Sequence, residues 1–178
     1  ISDLNTVYTR IIHPINNPAF SGPRYTVSLK WTAKADDGNT TPSGTATAYD
    51  LKYSTKKIVE DGVTRGAGEL FFSEATPVTV LFRYDSYGIV PVCLDGVTDL
   101  AQLDQAFIAN QGEILPPKSP GGTECYTVLV ENKINTGGNI IDDRTQNTRL
   151  YFAVKALDER GRESTSNISS ISNVAGGM

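Results

Sequence analysis

A polypeptide whose apolar and polar residues trade places at every step can bury only one face of an extended strand, and it needs a second layer to cover that face. This chain is written that way. In Tyr25-Thr26-Val27-Ser28-Leu29-Lys30-Trp31 the odd positions are apolar and the even ones polar. Tyr49-Asp50-Leu51-Lys52-Tyr53 repeats the pattern, and Leu150, Phe152, Val154 and Ala156 line one side of a further segment. Cys125–Val130 reads as another strand, and Ser172–Ala175 as the end of the last. The predicted core is therefore Val27, Leu29, Trp31, Tyr49, Leu51, Tyr53, Leu150, Phe152, Val154 and Ala156. The fold class expected is all-β, two antiparallel sheets packed face to face.

Turn signals punctuate these runs. Asp36-Asp37-Gly38-Asn39 through Pro42-Ser43-Gly44 separates the first two, and Asp158–Arg162 reads as a hairpin tip in which Gly161 is free to take positive φ. Asn135–Asn139 reads as a flexible connector, and Pro116–Gly122 as an extended surface run. One segment has another period. Leu100, Leu103, Ala106 and Phe107 recur at three- and four-residue spacing, so 98–111 is expected to be a short amphipathic helix, capped by Thr98 or Asp99 and stopped by Gly112. The stretch 56–97 reads as an insertion, with Glu69–Phe72 and Pro77–Phe82 as two more strands.

Composition removes whole classes of function. With 178 residues and no long apolar run, the chain is one domain and not a membrane span. A net charge of −4 speaks against nucleic acid as a partner. One histidine and two cysteines leave too few ligands for most zinc and iron–sulfur sites or for a histidine-centred triad. The sequence opens at Ile1 with no basic stretch leading into an apolar one, so it reads as a mature or excised piece. Cys93 and Cys125, with 31 residues between them, suit either one disulfide or two buried thiols, and the disulfide is the preferred reading. Sequons at Asn39 and Asn167 matter only in a glycosylating host.

Taken together, Leu29-Lys30-Trp31-Thr32-Ala33, Ala48–Thr55 and Leu150–Gly161, followed by Ser164 and Ser172-Asn173, resemble a fibronectin type III domain. Ile1–Leu4 is similar to that family's first strand. Trp31-Thr32-Ala33-x-x-Asp36-Asp37-Gly38, then Gly44-Thr45-Ala46, then the Tyr49-x-x-x-Tyr53 strand, resemble modules of bacterial secreted multidomain proteins and of the calcium-activated chloride-channel regulators. In that subtype a short helix and a Pro-rich run follow the third strand. The resemblance covers 1–55 and 99–175, and the insertion at about 56–97 departs from it. It implies an immunoglobulin-like sandwich with no catalytic residues, extracellular or at a cell surface, that contacts other protein chains or copies of itself.

Three candidate sites stand beside that expectation. Asp36, Asp37 and Asn39, helped by Asp142 and Asp143, offer oxygen ligands for calcium, or else a loop that bonds its own backbone. Phe82, Tyr84 and Tyr87 are either an exposed platform for a sugar or a protein, or the small core of the insertion. A platform would make the chain a carbohydrate-binding module of a secreted hydrolase. His13 has no partner ligand in sequence, and 6–23 either wraps the sandwich's own edge, the preferred reading, or reaches a neighbouring copy and adds a strand there.

Overall fold

The computed structural model describes residues 1, 3–12, 24–35, 44–54, 58, 68–95, 107–108, 114–130, 133–136, 139–142, 149–158 and 169–172. The strands are β1 (Asn5–Ile12), β2 (Arg24–Thr32), β3 (Ala48–Ser54), β4 (Thr76–Pro77), β5 (Thr79–Asp85) and β6 (Gly88–Pro91), then β7 (Phe107–Ile108), β8 (Thr123–Val130), β9 (Lys133–Thr136), β10 (Asn139–Asp142), β11 (Arg149–Leu157) and β12 (Ser169–Ser172). One helix, α1 (Glu69–Glu74), precedes β4.

Two antiparallel sheets hold most of these strands. One runs β1-β2-β8-β5-β6, with β7 on β5, and the other runs β12-β11-β3-β4. The two faces written as apolar in the sequence meet between them. Val27, Leu29 and Trp31 of β2 join Tyr126 and Val128 of β8 and Val80 and Phe82 of β5. Opposite stand Tyr49 and Leu51 of β3 and Leu150, Phe152, Val154 and Ala156 of β11, with half-buried Tyr53 packed against them. Ile1 and Leu4, just before β1, close one end of this core. Each fully buried Leu or Phe contributes about 1.5–3 kcal/mol of transfer free energy, so these faces supply most of the driving force. Trp31 stacks on Tyr126 at 5.4 Å and takes Tyr49 edge-on at 5.2 Å. Both arrangements suit the aromatic quadrupole.

The stretch 56–97 does more than add a hairpin. Its β5 pairs with β8 through Thr79–Leu129 and Val80–Val128, and Val80 and Phe82 enter the shared core. Its other parts cover the outer faces of both sheets. Helix α1 places Phe71 and Phe72 on Ala153, beside Ile58 and half-buried Tyr151. Lys155 is buried there too, its ammonium 4.5 Å from the centroid of the Phe72 ring, and Lys52 donates to the Phe72 carbonyl. On the other sheet Val92–Leu94 runs over the outward residues of β2 and β8. Val92 donates its N–H to the Leu81 carbonyl and accepts from the Thr127 N–H. Thr26, Ser28 and Thr127 are buried beneath it, and the Ser28 and Thr127 hydroxyls bond across the strands at 2.9 Å.

Some local expectations change. Glu69–Phe72 is the start of a helix and not a strand. Adjacent Phe71 and Phe72 would point to opposite faces of a strand, whereas in a helix both reach the sheet beneath. Within the predicted helix 98–111, Phe107–Ile108 is a strand paired with Leu81 and Phe82 of β5, and the rest lies outside the described residues. β8 pairs only Thr79 and Val80 of β5; Leu81 and Phe82 pair with β7, and Phe82 also with Pro91 of β6. Of the connector 135–139, Asn135, Thr136 and Asn139 lie in the paired strands β9 and β10, and 137–138 lie outside the described residues. Ser169–Ser172 is a strand that includes the first residue of the stretch expected, and 173–175 lie outside the described residues. The run 116–122 has no regular structure, as expected, yet Pro117 is buried in it and it is tied down by Gly121 N–H to Ala33 O at 2.9 Å and Ala33 N–H to Gly122 O at 2.8 Å. Gly121 sits at φ 85°, where a side chain would strain the turn.

Candidate functional site

The disulfide is formed. Cys93 and Cys125 are joined with their Cα atoms 5.4 Å apart. It staples the Val92–Leu94 strap to β8. The strap is also held by Leu94 N–H donating to Ser28 Oγ at 3.3 Å and by the Lys30–Asp95 ion pair at 2.8 Å. Both side chains of that pair are partly solvated, so it adds little stability.

A polar cluster sits inside the core. Glu124 is 1% exposed and starts β8 on the inward face, where an apolar residue would be expected. Its carboxylate accepts from the Lys118 backbone N–H at 2.6 Å and from the Tyr49 hydroxyl at 3.4 Å, and the Lys118 ammonium stands 3.9 Å away. The carboxylate therefore anchors the 116–122 run on the end of the sandwich. Burial pushes the phenols of Tyr49 and Tyr126 well above their ordinary range, and the negative charge of Glu124 pushes the same way. The indole N–H of Trp31 is buried at this cluster, against the Tyr49 ring. The whole arrangement is inward and packed, so its role is to position the 116–122 run.

The surface offers a different feature. Among the described residues the exposed large apolar side chains are Leu70, Tyr84, Tyr87 and Ile89, and three of the four lie on the β5–β6 hairpin. The register explains why. Val80, Phe82 and Tyr84 share one face of β5, but the hairpin runs past the end of the core. Phe82 is 1% exposed, and Tyr84, one pleat further on, is 65% exposed. Ile89, 45% exposed, stands directly across from Tyr84. Tyr87 is in the turn and 96% exposed. The turn is built firmly, with Asp85 Oδ1 accepting the Tyr87 N–H at 2.7 Å and Gly88 at φ 127°.

Phe82 is therefore not part of an aromatic platform, because its position on β5 carries it into the shared core. Tyr84 and Tyr87 are exposed, and the expectation that they form a core within the insertion fails for them. The candidate calcium residues Asp36, Asp37, Asn39 and Asp143 lie outside the described residues, as do His13 and Asn167, and Asp142 ends β10. Of the segment 6–23, the part up to Ile12 belongs to β1, which pairs with β2 of its own sheet, and 13–23 lies outside the described residues. No helix among the described residues is long and apolar enough to cross a membrane. Sequence reasoning missed Glu124 and Ile89. Glu124 alternates in phase with Tyr126 and Val128, which was the available signal, and nothing in the residue string shows that the hairpin overshoots the core. Neither family models, nor curated proteins, nor solved structures give a match to this chain.

Proposed function

We propose that this chain is a non-catalytic, fibronectin type III-like module of an extracellular or cell-surface assembly, where it holds or adheres to other protein chains or copies of itself. The observation that carries this reading is the division of its strands. Taken as A, B, C, E, F and G, strands β1, β2 and β8 share one sheet and β3, β11 and β12 the other, the division of an immunoglobulin-like Greek key. In that frame β5, beside β8, stands where strand D does in a constant-type sheet, and β4 extends the sheet on the C side. The space between the sheets is filled by Trp31, Tyr126, Phe82 and Phe152, which suits a scaffold. The disulfide suits an oxidising compartment.

Contacts to neighbours fall to side chains more than to strand addition. β4 ends in Pro77 and β6 in Pro91, which removes a backbone donor from each edge strand, and β1 lies beside β12 on the other side. The exposed Tyr84 and Tyr87 favour a second reading, in which the module binds carbohydrate as an accessory to a secreted hydrolase.

The test is to isolate the native protein without reductant, cross-link it and identify what is attached. The reading expects flanking modules or partner chains and an oxidised Cys93–Cys125 pair. Lone monomers without flanking domains, or free thiols in a reducing compartment, would overturn it.

A further inference from the structure

We infer that the tip of the β5–β6 hairpin is a glycan-binding site, in which Tyr84 and Tyr87 stack on the apolar faces of sugar rings in a neutral, extended polysaccharide. The inference rests on the extracellular reading above and names the ligand class for one surface of it.

Among the described residues the exposed large apolar side chains are concentrated at this tip. A soluble surface seldom gathers large apolar groups at one place unless something covers them. Folding does not explain these rings, because Tyr87 is 96% exposed and contributes nothing to the core. The turn is nevertheless stiff, held by the rungs Phe82–Pro91 through Asp85–Gly88 and by the Asp85 bond to the Tyr87 amide. A rigid support reduces the ordering entropy that a ligand must overcome.

Size and shape select the occupant. At about 150–250 Å² for an aromatic side chain, the two tyrosines and Ile89 offer roughly 400 Å² of contact. A stable protein partner needs about 800 Å² from each side, so this patch is too small to hold a second copy or another protein alone. Strand pairing adds little, since β6 is only four residues long and ends in Pro91. Two exposed aromatic side chains on one hairpin tip suit stacking on a short run of sugars. The C–H groups on a pyranose face carry partial positive charge and meet the electron-rich face of a tyrosine ring. The phenol hydroxyls of Tyr84 and Tyr87 supply polar groups for the sugar hydroxyls, and Arg83, Asp85 and Ser86 are their sequence neighbours. The rings stand at the turn end of a hairpin, a placement that suits the flank of a long chain. The absence of a strong positive patch in this stretch, one arginine beside one aspartate, favours a neutral glycan over a sulfated or uronic one.

The test is isothermal titration of the oxidised protein with neutral oligosaccharides (cello-, xylo-, manno- and chito-hexaose) and their parent polysaccharides, with sedimentation velocity run in parallel. Tyr84→Ala and Tyr87→Ala are compared with the parent. The inference expects weak, saturable binding to at least one neutral glycan, lowered about tenfold or more by either substitution. Both variants keep the parent's thermal midpoint, because neither ring is buried. A Leu70→Ala control on the outer side of α1 leaves binding unchanged. No binding to any glycan overturns the inference, as does binding that both alanine variants retain. A concentration-dependent dimer that Tyr87→Ala dissolves also overturns it and makes the tip a self-association surface. These outcomes leave the extracellular reading standing, which fails instead on the compartment and on the redox state of Cys93 and Cys125.

Discussion

Removing the disulfide isolates one contribution to stability whose size follows from the chain path. Cys93 and Cys125 are 32 positions apart, and the loop they close contains the strap, the 96–113 stretch and the 116–122 run. Closing a loop of that length in the unfolded chain is worth about 3.5–4 kcal/mol on the chain-entropy account. The native backbone asks little in return, because the strap already lies on the sheet through the Val92–Thr127 and Val92–Leu81 hydrogen bonds. A domain of this class has about 5–15 kcal/mol in total, so the loss would be a large fraction of it. The assay is equilibrium urea unfolding of the oxidised protein and of the Cys93→Ser/Cys125→Ser variant, followed by tryptophan emission. The variant should remain folded, with its free energy of unfolding lower by about 3–4 kcal/mol. Hydrogen exchange should speed up first at Val92, Leu94 and Thr127, whose amides hold the strap. A loss below about 1 kcal/mol would refute the reasoning, since the unfolded chain would then already be as restricted as the bridged one. Faster exchange spread over β2, β3 and β11 with no local excess would show that the bridge is not a local staple.

Three further outcomes follow from the packing. Leu29→Ala and Phe152→Ala each empty a fully buried position and should cost about 2–5 kcal/mol by urea unfolding, whereas Leu70→Ala, on an exposed position, should change little. Glu124→Ala leaves the Lys118 amide and the Tyr49 hydroxyl without their buried acceptor and should cost about 1–3 kcal/mol, with faster exchange along 118–122, while Glu124→Gln should cost less. The raised phenols of Tyr49 and Tyr126 fix the sign of an alkaline effect. Their neutral forms are favoured in the folded state, so this stability is complete below the ordinary tyrosine value of about 10 and is lost as pH climbs above it. Thermal midpoints should fall from about pH 10 upward, less steeply in Tyr49→Phe, and a flat profile to about pH 11 would contradict the burial of these hydroxyls.

The interior of the sandwich was legible because period-two alternation is a local property that burial reads directly. Val27, Leu29 and Trp31, or Leu150, Phe152 and Val154, point inward wherever their strands pair. The disulfide was legible as a preference, since two cysteines in such a chain leave few other uses. What was not legible depends on contacts made far along the chain. Phe71 and Phe72 form a helix because the outer face of β11, with Ala153 and Lys155, is there to receive them, and no local pattern announces that face as covered. Phe107 belongs to a run of helical spacing in sequence, yet Phe107–Ile108 pairs as a strand with Leu81 and Phe82 of β5, a contact made far along the chain. At the candidate site, aromatic residues were visible in sequence but their exposure was not. Phe82 and Tyr84 are two residues apart on one face, and only the point where the second sheet ends separates core from surface.

The central claim is that two sheets close on a core filled around the single tryptophan, and Trp31 reports on it directly. Emission and iodide quenching of the native protein, followed through urea unfolding beside circular dichroism at strand wavelengths, is the most direct measurement. A buried, stacked indole should emit to the blue of free tryptophan, resist iodide, and shift red in one transition that coincides with loss of the sheet signal. Native emission like that of the free amino acid, ready quenching by iodide, or an indole that becomes exposed before the sheets are lost would contradict the account.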